Sequence, residues 1–400
     1  HPLLIDKALR GLRASGARFH AKFADALRTL GFRPARADPD AWIRGEGDCC
    51  EHAVVRVDDI LAALKDPKKF CDAVQAAPWN CKLKNAEEPK CHLGGDFFCD
   101  KDGTYCCGAQ TCVKRMVENC NLMFGEPPKA AHSPMEKGDQ PELDASPELG
   151  PGGIEKFQSL IGALQWTITL CRFDIAQAAM SLGRFRAAPR EGHVTRLKRL
   201  IGHIKKQPSC AMRFRTGVPD WESIFDKDPV RHDWMESACG CPEEEVDPHA
   251  PVPKGMPVRL SCHVDANLMH DAVAGRSAAG ILEFMNQTPI DWFSKRQNQV
   301  EAATCGSEFM AARQATERMT DLRYALRSLG APLGGPSWML GDNKSVVTSS
   351  TIPHSSLGKR WNALSHHRVR EAIAGGWLRF EHIAGAENPA DILTKSLPWA

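Results

Sequence analysis

Nowhere in these 400 residues do 18 apolar residues run together, and no charged-then-apolar leader opens the chain. The sequence therefore predicts neither a membrane span nor a secreted form. The chain also starts at His1 rather than at methionine, which reads as a piece of a longer translation product or an incomplete gene model. Zinc-ligand spacing is missing as well: the close cysteines are Cys49-Cys50, Cys106-Cys107 and Cys239-Gly240-Cys241, with no C-x₂-C and no C-x₂-C-x₄-H-x₄-C knuckle. Structural zinc is disfavoured on that ground. Sixteen cysteines without an export signal are expected as reduced thiols rather than as a disulfide framework. No internal repeat is evident. A formal net charge of only +2 excludes a uniformly basic coat, so any contact with a polyanion must come from local asymmetry.

That asymmetry is present. Between Lys7 and Arg36, eight basic residues face only Asp25, and from Arg184 to Lys206 eight more face only Glu191. In the second stretch Val194, Leu197, Leu200, Ile201 and Ile204 supply a buried helical face, which leaves the cations on the other side. Arg196, Lys198, Arg199, Lys205 and Lys206 are thus candidate nucleic-acid contacts along a phosphate backbone. Hydrophobic residues make up 42% of the chain, enough for two or three domains with real cores.

Four acids in the last third stand where element ends deliver them. Leu260, Cys262 and Val264 alternate with Ser261, His263 and Asp265, which predicts a strand with Asp265 on its polar side and at its end. Glu308 falls in the first turn of a helix whose stripe is Phe309, Ala312, Ala315, Met319, Leu322 and Leu326, closed by Gly330. Asp342 follows the strand-like Trp338-Met339-Leu340, and Asp391 follows Asn388, an N-cap candidate, and Pro389, a first helical residue. Clustered carboxylates repel one another unless cations neutralise them, so convergence of four points to Mg²⁺ or Mn²⁺. Two such ions about 3.5–4 Å apart suit in-line displacement at phosphorus.

The strings GRSAAGI, TPIDWFSKRQ, GSEFMAAR, GDNKSVV, HHRVREAI and HIAGAENPADILTK, taken in order, resemble the ribonuclease H domain of copia-type LTR retrotransposon Pol polyproteins over about 257–397. The resemblance implies that Asp265, Glu308, Asp342 and Asp391 are the metal-binding and catalytic acids. It also implies that His382 is the histidine of a mobile loop that assists turnover and product release. The activity implied is cleavage of the RNA strand of an RNA–DNA hybrid, leaving a 3′-hydroxyl and a 5′-phosphate. Upstream, VVRVDDILAALKDP resembles the reverse-transcriptase YVDD hairpin, with Asp58 and Asp59 at the paired palm aspartates, and CHLGGDF and FQSLIGALQW continue the similarity. Arg56 stands where the family has tyrosine, and the segment of the first palm aspartate is absent, so no primer extension is expected. Further parts of the Pol polyprotein are implied partners, and a cytoplasmic virus-like particle or the nucleus is the implied location. The rival reading is a decayed, non-catalytic remnant that only binds nucleic acid. A transposase or integrase on the same core fold is disfavoured, because those place the last acid on a later helix and lack the GSEF and NPADILTK contexts.

The expected fold is α/β and α+β. A partial palm at 1–124 leads through a Gly/Pro-rich linker at 125–153 to a helical thumb or connection region at 154–216. An acidic, proline-rich tether at 217–256 precedes the ribonuclease H-like mixed sheet at 257–397. Trp166 and Phe173 are expected in the helical core.

Overall fold

The computed structural model describes residues 13–57, 59–83, 87–225, 233–358 and 360–396. The chain divides into two compact units, one formed by the residues up to His92 with Glu245–Val258 and Asp321–Gly334, the other by the rest.

In the first unit, α1 (Arg13–Thr29) buries Phe23, Ala24, Ala26 and Leu27, and Gly31 follows its end. The left-handed φ of +85° there costs glycine little and lets the Phe32 amide return to the Leu27 carbonyl. An antiparallel sheet follows in the order β1 (Arg33–Pro34), β2 (Ala41–Glu46), β3 (Cys49–Arg56), β4 (Asp59–Ala63). Capped by the Asp66 side chain, α2 (Pro67–Gln75) places Phe70 and Val74 against Phe32, Trp42 and Val55. Buried Glu51 is held by Arg44 Nε at 2.8 Å and the Lys65 amide at 2.8 Å. A two-residue strand, β5 (Cys91–His92), closes this stretch.

The second unit opens with the hairpin β6 (Gly95–Cys99) and β7 (Tyr105–Gly108). Helices α3 (Gln110–Phe124), α4 (Pro151–Thr169), α5 (Ala176–Gly183) and α6 (Glu191–Lys206) follow, then β8 (Ala211–Arg213), antiparallel to β7. Their shared core joins Val113, Met116, Phe157, Leu160, Ile161, Leu164, Leu182, Leu197, Leu200 and Ile204. Among these helices α3 is not an expected element. Its buried stripe of Val113, Met116 and Cys120 has helical spacing, but one member is a cysteine. Trp166 corrects the core expectation: it is 48% exposed, because it falls two residues past Leu164 and off the stripe that α4 buries. Phe173 is half-buried and packs on the main-sheet side rather than in this helical core, its ring 5.0 Å from that of Trp292. The stretch 125–150 is irregular apart from a 3₁₀ turn at Pro141–Leu143, and the last three residues of the expected linker already open α4; Ala131 and Met135 are buried. Beyond β8, α7 (Trp221–Ile224) is a single turn in another irregular segment, in which Trp234 is buried under the Arg370 guanidinium.

The main sheet has the order β11 (Thr288–Arg296), β10 (Arg276–Met285), β9 (Leu260–Asp271), β12 (Ser337–Gly341), β13 (Leu378–His382). The first three strands are antiparallel, and β12 runs parallel to both β9 and β13. On one face α8 (Thr304–Ser328) aims Arg318 at Glu283 and over the Phe293 ring. On the other, Leu282 and Trp292 pack with Ala176 of α5 and with Leu393. Short α9 (Lys344–Thr351), capped by Asn343, and α10 (Ala363–Ala374) complete the layer. This corrects the strand reading around Asp265 in two ways. The strand β9 runs on to Asp271, so Asp265 lies at its middle, and the supposed polar face is buried, with Ser261 and Asp265 at 1% and 2% exposure. A central strand covered on both faces has no solvent side, whatever its alternation suggests.

Gly280 of β10 lies opposite Asp265 and under the 3₁₀ turn Pro389–Leu393. A methyl group there would meet Thr394 Cγ2 at 2.6 Å, Leu393 Cβ at 2.9 Å and the Ala390 carbonyl oxygen at 3.0 Å. Gly280→Ala is therefore expected to cost about 1–3 kcal/mol of stability, measurable by denaturant unfolding; an unchanged midpoint would show that this turn yields freely.

Candidate metal centre

The parallel register of β12 on β9 sets Gly341 beside Val264, so the next residues along each strand, Asp342 and Asp265, become neighbours. Asp391 arrives on the Pro389–Leu393 turn, whose position is fixed by Asn388: its side-chain oxygen accepts from the Ala390 amide, and its Nδ2 donates to the Val264 carbonyl at 2.9 Å. Asn388 is thus the N-cap the sequence indicates, although the turn it opens is 3₁₀ rather than α. Carboxylate oxygens of Asp265, Asp342 and Asp391 lie within 4.8 Å of one another, and the trio could hold a metal ion. Glu308, fifth residue of α8, is buried against the Ala266 backbone amide, close enough for Asp265 and Asp342 to act on its charge.

Electrostatics mark this pocket as unbalanced. Burial, then the charges of Asp265 and Asp342, push the Glu308 carboxyl up to about 9. Burial also raises Asp265, against which the Thr394 hydroxyl and the Lys395 ammonium work. The Thr394 hydroxyl donates to Asp265, and Lys395 Nζ donates to Asp391 at 2.6 Å and lies 3.4 Å from Asp265. These two residues escaped the sequence reading. The signal was available in NPADILTK, where Asp391 and Lys395 are four apart. Asn267 Nδ2 donates to the Thr394 carbonyl at 3.2 Å.

His382 is the last residue of β13, paired with Gly341, and its Nε2 donates to the Asp342 carbonyl at 3.1 Å. The loop of the expectation begins only after it, at the 3₁₀ turn Gly385–Glu387. In the first unit, Asp59 is exposed at the start of β4, opposite Arg56 in the hairpin, while Asp58 lies outside the described residues. Arg56 itself donates to Asp40 at 3.0 Å.

The five candidate basic contacts of α6 are not brought to the acids. Each instead meets the segment before α4. Arg196 is held by Asp139 at 2.8 Å and by Asp144, Lys198 by Glu126 at 2.9 Å, and Arg199 by Glu136 at 2.9 Å. Lys205 donates to the Pro128 carbonyl at 3.2 Å, and Lys206 lies 2.7 Å from the His132 ring. Burial pushes Asp144 up, but the Ser146 hydroxyl and amide and the Arg196 guanidinium hold it down at about 2. A phosphate would have to displace these partners.

A mixed sheet of this order, with helices packed on it and a final acidic turn, is the α/β and α+β arrangement that the sequence resemblance implies. No family model matches the chain. It is similar, at 23% identity over 395 residues and 98% of its length, to the retrovirus-related Pol polyprotein from transposon RE1 of Arabidopsis thaliana. It is likewise similar, at 22% over 400 residues and 98% of its length, to that from transposon TNT 1-94 of Nicotiana tabacum. The chain spans about a quarter of these relatives, 24% and 27%. The RNase H1 of the halophilic archaeon Halobacterium salinarum NRC-1 aligns at 17% identity over 34% of this chain and 94% of its own, with a TM-score of 0.27. LC11-RNase H1, solved with an RNA/DNA hybrid, aligns at 14% identity over the same shares, also at 0.27. The similarity to retrotransposon Pol polyproteins thus extends over nearly the whole chain, consistent with the copia-type resemblance.

Removing Arg196 would leave two partly buried carboxylates uncompensated, whereas Lys198 pairs with an exposed glutamate. Arg196→Ala is expected to cost about 2–4 kcal/mol and Lys198→Ala about 0–1 kcal/mol in thermal or denaturant unfolding. Equal, small losses for both would mean that the Asp139 and Asp144 contacts carry no structural load.

Proposed function

We propose that the last third of this chain is a metal-dependent ribonuclease H that cuts the RNA strand of RNA–DNA hybrids endonucleolytically. The observation that carries this reading is the convergence of buried Asp265 with half-buried Asp342 and Asp391, their carboxylate oxygens within 4.8 Å, beside a Glu308 carboxyl raised by burial and by the neighbouring acids. The donor set is all oxygen and anionic, which suits Mg²⁺ or Mn²⁺. Asp265, Glu308, Asp342 and Asp391 would hold the ions. When bound, two such ions supply an activated water and charge stabilisation on the leaving oxygen at phosphorus.

The chain's own contribution is positional. Asp265 is immobilised by the central strand and the Thr394 hydroxyl, and Asp391 by the Asn388 cap. His382 fixes the Asp342 carbonyl through Nε2, which leaves Nδ1 to take or give a proton at the edge of the site. Recognition of the hybrid is assigned to duplex shape and the 2′-hydroxyl rather than to base sequence. In this reading the palm half does not extend a primer, since the residue in the tyrosine position, Arg56, is turned to Asp40. The chain works beside other parts of a Pol polyprotein, in a cytoplasmic particle or in the nucleus. Among its described residues no helix is long and apolar enough to cross a membrane.

Incubation of the protein with a labelled RNA–DNA hybrid and Mg²⁺ should give cleavage of the RNA strand alone. Asp342→Asn should slow it by roughly 100-fold or more with the circular dichroism spectrum retained. A folded wild-type protein that leaves the hybrid intact would remove the nuclease reading and favour a remnant that only binds nucleic acid.

A further inference from the structure

Several buried charges among the described residues of the second unit are answered by ion pairs. Arg172 pairs with Asp174, Arg184 with Glu142 and Asp271, and Arg318 with Glu283. At the acidic pocket, by contrast, four acids, Asp265, Glu308, Asp342 and Asp391, share one ion-paired cation among the described residues, the Lys395 ammonium. Its amide bonds back to the Asp391 carbonyl at 2.9 Å, so the turn that supplies one acid also sets the lysine over it, four residues on. Its side chain is 38% exposed while that of Asp265 is 2% exposed, so the ammonium reaches into the pocket from the solvent edge and has a path out.

We infer that Lys395 is a resident counter-ion that holds the acid pocket together without metal and is displaced when a divalent cation enters. This rests on the reading of the four acids as a metal site and adds how that site is kept folded and how strongly it takes its ion. An ammonium on a flexible four-carbon stem is a mobile point charge, able to leave without unfolding the turn. Its neighbours limit what else it can do. The Thr394 hydroxyl already occupies one oxygen of Asp265, and His382 is committed to the Asp342 carbonyl. Lys395 and the metal therefore compete for the same negative charge, and occupancy by one weakens the other. Lys395 acts here as a positioning residue for the acids. It gives the site a set point: a pocket of four unopposed carboxylates would destabilise the metal-free fold, and one with a permanent cation would refuse metal.

The test uses the full chain without nucleic acid, titrated with Mn²⁺ and followed by calorimetry and thermal melting. Lys395→Met should lower the melting temperature of the metal-free protein, bind Mn²⁺ about 5-fold or more tightly, and show a larger Mn²⁺-induced rise in melting temperature than wild type. Lys395→Gln serves as the second variant should the methionine form fail to fold, with the same expectation. Lys395→Arg should keep the metal-free melting temperature near wild type. Mn²⁺ affinity equal to or weaker than wild type in the neutral variants overturns the counter-ion role while leaving the metal site standing. A folded wild-type protein whose melting does not respond to Mn²⁺ removes the metal site itself, and Asp342→Asn gives the reference for that outcome.

Discussion

The constraint on which the second unit depends is the burial of Asp265 in the middle of a central strand. A carboxylate at that depth, covered on both faces of the sheet, is unfavourable in its charged form unless something nearby answers it. The fold answers with the segment after β13. Asn388 ties the last turn to the backbone of β9, Gly280 leaves room for it, and Thr394 and Lys395 then reach Asp265. Sheet order does the remainder, since only a strand parallel to β9 and next to it brings Asp342 to the same level. Backbone register, a tight glycine contact and one lysine together make a site that no single segment could hold.

Charge elsewhere is organised on the opposite plan. The cations of α6 look, in the sequence, like a face waiting for phosphate, but the stretch from Glu126 to Asp144 lays carboxylates and carbonyls over them. Gly202 on the same helix leaves no room for a side chain, because the Lys129 carbonyl oxygen would lie 1.8 Å from its Cβ. The segment is thus packed as part of the helical layer. Its irregular backbone comes from its glycines and prolines, and its fixed place comes from Ala131, Met135 and the ion pairs. The surplus of one sign sits in the acidic pocket, where the chemistry would need it.

Much of this was legible in the sequence. Helical periodicity and Gly330 bounded the end of α8 to within two residues, Asn388 announced its turn, and the spaced strings implied a mixed sheet around the acids. What escaped were properties that a local pattern does not carry. Alternation along β9 reads the same whether its second face meets water or a packed layer, so the burial of Ser261 and Asp265 could not be read from it. The partners of Arg196, Lys198 and Arg199 lie 52–72 residues away, and a helical wheel records only that a face is charged, not what covers it. Trp166 failed for a simpler reason: size and apolarity outweighed its phase on the helix.

The first unit carries a strained turn. Val57 has φ of +57°, a left-handed conformation that a β-branched residue adopts only at a cost of about 1–2 kcal/mol. Flanking pairs, Arg56 with Asp59 and Val55 with Ile60, hold the hairpin closed around it. Glycine or asparagine would make this turn more cheaply, so stability alone does not account for valine there. Asp59 follows, exposed at the start of the edge strand β4. Yet the residue just before Val57, Arg56, sends its guanidinium to Asp40, which also receives His20 at 3.0 Å. An aromatic side chain in that position would present a flat apolar face; this one is committed to a carboxylate on the neighbouring loop. Arg56 is thus tied to its own neighbourhood, whereas around Asp265 the acids, their strand register and their supporting turn come together.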